Sequence, residues 1–222
     1  MSDDDLRRQV LAELTGDPQV DGETFQVTAA DATVTLRGTV ASLRLKRAAG
    51  SAVARVRGVA SIANELRVLL PAADRRGDED LRGDVLEALM LDTSVPMTVD
   101  AQARDGFITL TGTTQWHYQR QAAEARASGV PGVTGIDNAI TLTQVPDADA
   151  ARAAITEAFQ RNAALDADAL SVETSAGGLV ILAGTVSCWA AHDQAVAAAW
   201  AAPGVTQVDD RIQVEGKPWS AG

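Results

Sequence analysis

The chain has almost no cysteine: a single thiol in 222 residues leaves no disulfide framework to brace it. Aromatic residues are scarce as well, at 4%, so a core has to be built mainly from Ala, Val, Leu and Ile. Positive charge is in deficit. The 19 Lys and Arg against 30 Asp and Glu leave a net charge of -11, the opposite of the basic footprint that displaces counterions from nucleic acid. No apolar run approaches the roughly 18 residues of a membrane-crossing helix. The opening Met-Ser-Asp-Asp-Asp-Leu-Arg-Arg lacks the apolar stretch of a secretory leader. The cytoplasm is therefore the expected compartment, with peripheral membrane contact left open. What is present is ordinary globular composition, 46% apolar and 22% charged.

The chain repeats itself. Gly38, Gly112 and Gly184 lie 74 and 72 residues apart. Two residues before each is Leu36, Leu110 or Leu182, and one after is Thr39, Thr113 or Thr185. Twenty residues on is a second glycine, Gly58, Gly132 or Gly204, each followed by valine. Then come Ile62, Ile136 and Val208, and two positions later Asn64, Asn138 and Asp210. Register holds without a gap between the two glycines, so these are three copies of one unit.

Each copy predicts the same order of elements. A helix opens it, over 6–14, 81–91 and 150–163; in the first, Leu6, Val10 and Leu14 form one helical stripe. Acidic residues precede all three and suit a helix N-terminus. A short strand follows around Phe25 to Val27, Met97 to Val99 and Leu170 to Val172. Turns at Asp105-Gly106 and Gly177-Gly178 supply the positive φ of a tight hairpin. Asp31-Ala32 is poorer, which predicts a looser hairpin in the first copy. Return strands cover 33–40, 107–113 and 179–186. Ala-rich helices cover 43–56, 118–128 and 190–201, and an alternating strand such as Ile62-x-Asn64-x-Leu66-x-Val68 closes the unit. The expectation is an α+β protein of three tandem αββαβ domains, each a three-stranded sheet covered by two helices, at 1–70, 78–145 and 147–216, followed by a tail at 217–222 in which Trp219 is a candidate to dock.

The pattern Val34-x-Leu36-x-Gly38-Thr-Val40, an Ala-rich helix, then Gly58-Val59-x-x-Ile62-x-Asn64-x-Leu66-x-Val68 resembles the BON domain, named for bacterial OsmY and nodulation proteins. All three copies match, over roughly residues 5–215, with Asp210 the one departure at the Asn position. The stretch from Gln115 to Ala123 looks like the middle repeat of soluble bacterial triple-BON proteins. The resemblance implies a non-enzymatic protein. Family members are linked to osmotic and envelope stress, often in the periplasm or outer membrane. Some contact anionic phospholipid, others act as chaperones, and one type joins a second domain in a cytoplasmic potassium-binding protein.

Nothing in the sequence assembles a catalytic constellation, and neither a cofactor nor a metal site is expected. His117 and His192 fall at different offsets from their anchor glycines, five and eight, without a partner at ligand or triad spacing. Cys188 sits at a strand-to-helix turn and reads as a small half-buried residue. The glycines form no phosphate loop and read as turns and close backbone approaches. Charge divides unevenly: residues 1–70 hold nine acids and nine bases, 71–146 eleven and six, 147–222 ten and four. The bases of the first copy gather on its second helix as Arg44, Lys46, Arg47 and Arg55, then Arg57. The spacing of Arg44, Arg47 and Arg55 puts them on one helical face, the candidate contact for anionic lipid. A second candidate surface is aromatic: Trp116 and Tyr118 with His117, and Trp189, stand where the second helix begins and are expected at a junction. Two readings follow. One is a stress-associated binding protein that weakly contacts anionic phospholipid or a protein partner. The alternative is a cation-responsive, for example potassium-responsive, or chaperone-like osmotic-stress protein that draws on the acidity of copies two and three.

Overall fold

A computed structural model describes residues 2–20, 25–144, 147–162, 165–175 and 177–215. The expected C-terminal tail with Trp219, Val145-Pro146 of the second linker and the end of the third opening helix at Ala163 lie outside these residues.

The first repeat runs α1 (Asp3–Gly16), β1 (Gln26–Ala30), β2 (Thr33–Val40), α2 (Leu43–Ala54) and β3 (Ser61–Val68). The second runs α3 (Asp78–Met90), β4 (Val99–Arg104), β5 (Phe107–Thr114), α4 (His117–Ser128), β6 (Gly135–Asn138) and β7 (Thr141–Leu142). The third runs α5 (Ala148–Arg161), β8 (Leu170–Thr174), β9 (Leu179–Val186), α6 (Trp189–Ala201) and β10 (Gln207–Val214). The fold is α+β, with six α-helices and three small sheets among the described residues. The chain divides into two compact units. One comprises Met1–Thr39, Lys46–Arg67 and Pro146–Gly222; the other comprises Val40–Leu45 and Val68–Val145.

Each sheet places the return strand in the centre: β1-β2-β3, β4-β5-β6 and β8-β9-β10. β4 and β8 pair antiparallel with their hairpin partners, whereas β6 and β10 return through a helix and pair parallel, Phe107 with Gly135 and Leu179 with Gln207. A parallel return needs a crossover, and the Ala-rich helix is that crossover.

The opening helices begin where their acids allow. Ser2 Oγ accepts from Asp5 N at 3.2 Å while Asp5 Oδ2 accepts from Ser2 N at 3.3 Å, a reciprocal cap for α1. Asp147 caps α5 through Ala150 N at 3.0 Å. Asp78 instead reaches the next hairpin, accepting from Asp105 N at 3.0 Å and Gly106 N at 3.3 Å. Each helix then buries one stripe at i, i+4, i+8: Leu6, Val10 and Leu14; Leu81, Val85 and Leu89; Ala151, Ile155 and Phe159. In the second and third repeats these stripes meet one face of the sheet, at Ile108 and Leu110 or at Val180 and Leu182. The crossover helices contribute alanines there, Ala123 and Ala127 or Ala191, Ala195 and Ala199, so backbone comes close to sheet.

Three sequence expectations need correction. Asp31-Ala32 is not a looser hairpin. Both residues take positive φ, 49° and 59°, and pairing continues to Ala30 and Thr33. Ala32 O accepts from Ala60 N at 2.8 Å, as Gly106 O accepts from Thr134 N and Gly178 O from Thr206 N, so the returning chain holds the turn. The wider hairpin is the third, where strand pairing ends at Thr174 and Val180. The second correction concerns Met97, which is not in a strand. β4 starts at Val99, whose N–H bonds Pro96 O at 3.1 Å in a turn, and Met97 is 95% exposed. The third concerns the closing strand of the second repeat. It lapses over Ala139 and Ile140, giving that sheet a fourth strand.

Candidate functional site

The sequence nominated a basic face, an aromatic set and nine repeat positions. Of the basic residues, Arg44 and Arg47 are exposed one turn apart on α2, and Lys46 between them is half-buried. Arg55 does not belong with them. It lies just past Ala54, where α2 ends, and its guanidinium points back to the first helix, Nε to Glu13 Oε1 at 2.7 Å and Nη2 to Asp17 Oδ2 at 2.5 Å. Those hydrogen bonds, Glu13 first, raise its pKa further. Its charge is committed to tying α2 to α1.

The aromatic residues differ in exposure. Trp116 is half-buried as the residue before α4, Tyr118 is 57% exposed, and Trp189 is half-buried at the first turn of α6. Gln119 Oε1 caps the start of α4, accepting from Gln115 N at 3.1 Å and Trp116 N at 3.0 Å. Trp189 stands edge-on to His192, ring centroids 4.8 Å apart.

The repeat positions do structural work that the one-dimensional pattern does not reveal. Asn64 Nδ2 donates to Lys46 O at 2.8 Å, and Asn138 Nδ2 donates to Arg120 O at 3.1 Å. Both bonds span 18 residues and latch the closing strand to the crossover helix. The carboxamide oxygen accepts locally, from Leu66 N or Ile140 N. Asp210 keeps that second bond, to Ile212 N at 3.0 Å, but a carboxylate has no donor for a helix carbonyl. The helix supplies one instead. His192, at the position of Lys46 and Arg120, places Nε2 2.7 Å from Asp210 Oδ2. His192 is not a repeated residue, since Lys46 and Arg120 hold its position in the other copies, but its side chain meets the Asp that replaces Asn 18 residues away. The signal was readable as a paired change at two repeat positions.

His117 aligns with Leu43 and Trp189, five residues after the anchor glycine. Burial is the main reason its pKa falls to about 4; the Arg120 charge adds to this and Glu124 opposes it. The imidazole is neutral at pH 7. An unfolded chain takes up this proton near pH 6.5, the folded one only near 4, so the group destabilises the second repeat progressively as pH falls through that window. Urea titrations at pH 7 and pH 5 are expected to show His117→Leu losing about 1 kcal/mol less than the parent chain, since partial exposure of the ring weakens the effect. An equal loss in both would remove His117 from the account. In the same repeat, Ser94 and then Arg126 hold the Asp92 carboxyl down to about 2, a contribution kept above pH 4 and lost only below it.

Sequence reasoning missed one surface. At the C-terminal end of α3 a cavity of about 280 Å³ opens between Leu86, Leu89, Met90, Val95, Pro96, Met97 and Val99. Assigning Met97 to a strand concealed it; Pro96 was the signal against that strand. Among the described residues no group of three or more His, Cys, Asp or Glu is placed to hold a metal, and no helix is long and apolar enough to cross a membrane.

The described residues form repeated αββαβ units that expose both charged and apolar side chains. The family follows directly: the BON domain matches three times, at residues 2–69, 77–144 and 147–216, and the chain belongs to the BON family of non-catalytic binding domains. No curated protein matches. Among solved structures, the chain is similar to CdsD, a structural protein of the type III secretion system of Chlamydia trachomatis, at 14% identity and a TM-score of 0.25, covering 94% of this chain and 91% of that one. It is also similar to the PrgH periplasmic domain, at 16% identity and a TM-score of 0.23, covering 92% and 99%.

Proposed function

We propose that this chain is a non-enzymatic, stress-associated interaction protein whose BON domains make weak, additive contacts with anionic phospholipid or with protein partners. The carrying observation is the exposed pair Arg44 and Arg47 on α2, in the only copy whose acids and bases balance. The crossover helix of the third repeat, α6, has no Lys or Arg at all. Each base near an anionic surface contributes about 1 kcal/mol, and the acidic remainder of the chain opposes contact. Binding is therefore weak and salt-sensitive, and tethered units raise it by avidity.

The test is vesicle flotation with anionic and zwitterionic lipid at low and physiological salt, using the full chain and an Arg44→Glu, Arg47→Glu variant. Arg55 is left intact because its loss would untie α1. The parent chain is expected to float only with anionic vesicles, and the variant to lose about tenfold or more in partitioning. Flotation that is unchanged in the variant, or absent at low salt, sinks the lipid half of the reading and leaves protein partners.

A further inference from the structure

Seven large apolar side chains are exposed among the described residues, and three of them, Met90, Leu91 and Met97, gather at the C-terminal end of α3. Met90 is 77% exposed, Leu91 80% and Met97 95%. Beside them lies the cavity floored by Leu86, Leu89, Val95 and Val99. Apolar side chains this open, next to a concave apolar floor, are uncommon on a solvated surface and mark an interaction site. Methionine suits such a site because its flexible thioether adapts to different anchors.

The charge around the patch selects its occupant. Glu79, Gly83, Leu86 and Met90 follow helical spacing and share one face of α3, with Glu87 one turn before Met90. Glu79 and Glu87 are exposed and form no ion pair among the described residues. Three bases of this repeat are engaged: Arg82 with Asp100 Oδ1 at 2.9 Å and Ala101 O at 2.7 Å, Arg126 with Asp92 at 2.6 Å, and Arg76 with Asp84 at 3.8 Å. The face is thus apolar at one end and anionic along its length, with no side chain at Gly83 to obstruct it; a Cβ there would meet nothing within 4 Å. An anionic membrane would be repelled.

We infer that the α3 face of the second repeat is a docking groove for a basic amphipathic helix. Apolar anchors of that helix enter the Leu86–Met90–Met97 cavity, and its Lys or Arg residues pair with Glu79 and Glu87. This is the helix-in-groove mode, with anchors at i, i+3, i+4 and i+7. The inference stands apart from the α2 surface, so failure of either leaves the other in place.

The test uses fluorescence anisotropy of the full chain with a labelled Leu/Lys amphipathic peptide of about five helical turns. Two controls accompany it: the same peptide with Glu for Lys, and a Gly/Lys peptide of equal charge without apolar anchors. Saturable binding of the Leu/Lys peptide is expected, weakened about tenfold by Met97→Lys with Leu91→Lys and severalfold by Glu79→Lys with Glu87→Lys. These residues are exposed, and circular dichroism verifies that each variant is folded. Equal binding of the Gly/Lys peptide, or indifference to the Met97 and Leu91 changes, would reduce the effect to the general acidity of the chain and overturn the groove. Binding of the Glu peptide would overturn the charge assignment. Sedimentation supplies one more outcome: a dimer abolished by Met97→Lys would make the occupant a second copy and overturn the assignment to a basic helix.

Discussion

Gly184→Ala is expected to cost about 3–5 kcal/mol and to open the sheet of the third repeat. The residue lies inside β9, not in a turn, with φ at +131°, a conformation L side chains rarely adopt. A Cβ built there would lie 2.1 Å from Ala169 O and 3.0 Å from Leu170 Cα. Both neighbours are backbone, so no flexible chain end can yield, and relief requires β8 to move off β9. Gly112 repeats the arrangement in the second repeat, with φ +115° and Thr98 O at 2.1 Å. Gly38, at the same place in β2, has φ 140°. Gly177→Ala is the control: its φ is +100°, but nothing lies within 4 Å of a new Cβ, so only the conformational cost of about 1–2 kcal/mol applies. Thermal unfolding separates the two. In a domain of this size 1 kcal/mol moves Tm by about 4–8 °C, so Gly184→Ala should fall by some 15 °C or more. Hydrogen exchange across β8 and β9 should rise with it. A Gly184→Ala chain as stable as Gly177→Ala would falsify the close-approach account.

Phe159→Ala should cost a comparable amount, about 3–5 kcal/mol. Phe159 is 2% exposed and ends the α5 stripe, where the first and second repeats have Leu14 and Leu89. The third repeat begins that stripe with Ala151 where the others have Leu6 and Leu81. Its core also takes Ala191, Ala195 and Ala199 from α6, so Phe159 is the largest buried side chain of that cluster. Truncation leaves a cavity that alanine neighbours cannot fill. Phe159→Leu, which reproduces the other repeats, should cost only about 1 kcal/mol. Urea midpoints for the pair decide the matter: equal losses would mean that the site collapses around the smaller side chain, contrary to expectation.

Much of the architecture was legible because it is written in short-range spacing. The stripes of α1, α3 and α5 follow from a period of four residues, and the centre strands from anchor glycines held in register over three copies. Turn chemistry was the weaker guide. Ala32 holds a positive φ because Ala60 and Ser61, 28 and 29 residues later, donate to its carbonyl. No local rule contains that bond. Met97 was misplaced for the converse reason: alternation suggested a strand, and the Pro96 turn displaced its start by two residues.

The candidate surfaces were less legible than the fold because charge and exposure are settled by partners distant in sequence. Arg55 reads as one more base on a helical face until Glu13 and Asp17 fold back to engage it. His192 reads as isolated until β10 brings Asp210 beside it. By itself, the sequence determined three αββαβ repeats, their order of elements, their buried stripes and the glycines toward the ends of their return strands, since local sterics and periodic burial dictate these wherever the chain lies. Only the tertiary structure decided which bases stay exposed, which polar side chains latch strand to helix, and that Met90, Leu91 and Met97 stand open beside an acidic helix face. Those outcomes depend on contacts between residues tens of positions apart, and their energies exist only once the chain has brought them together.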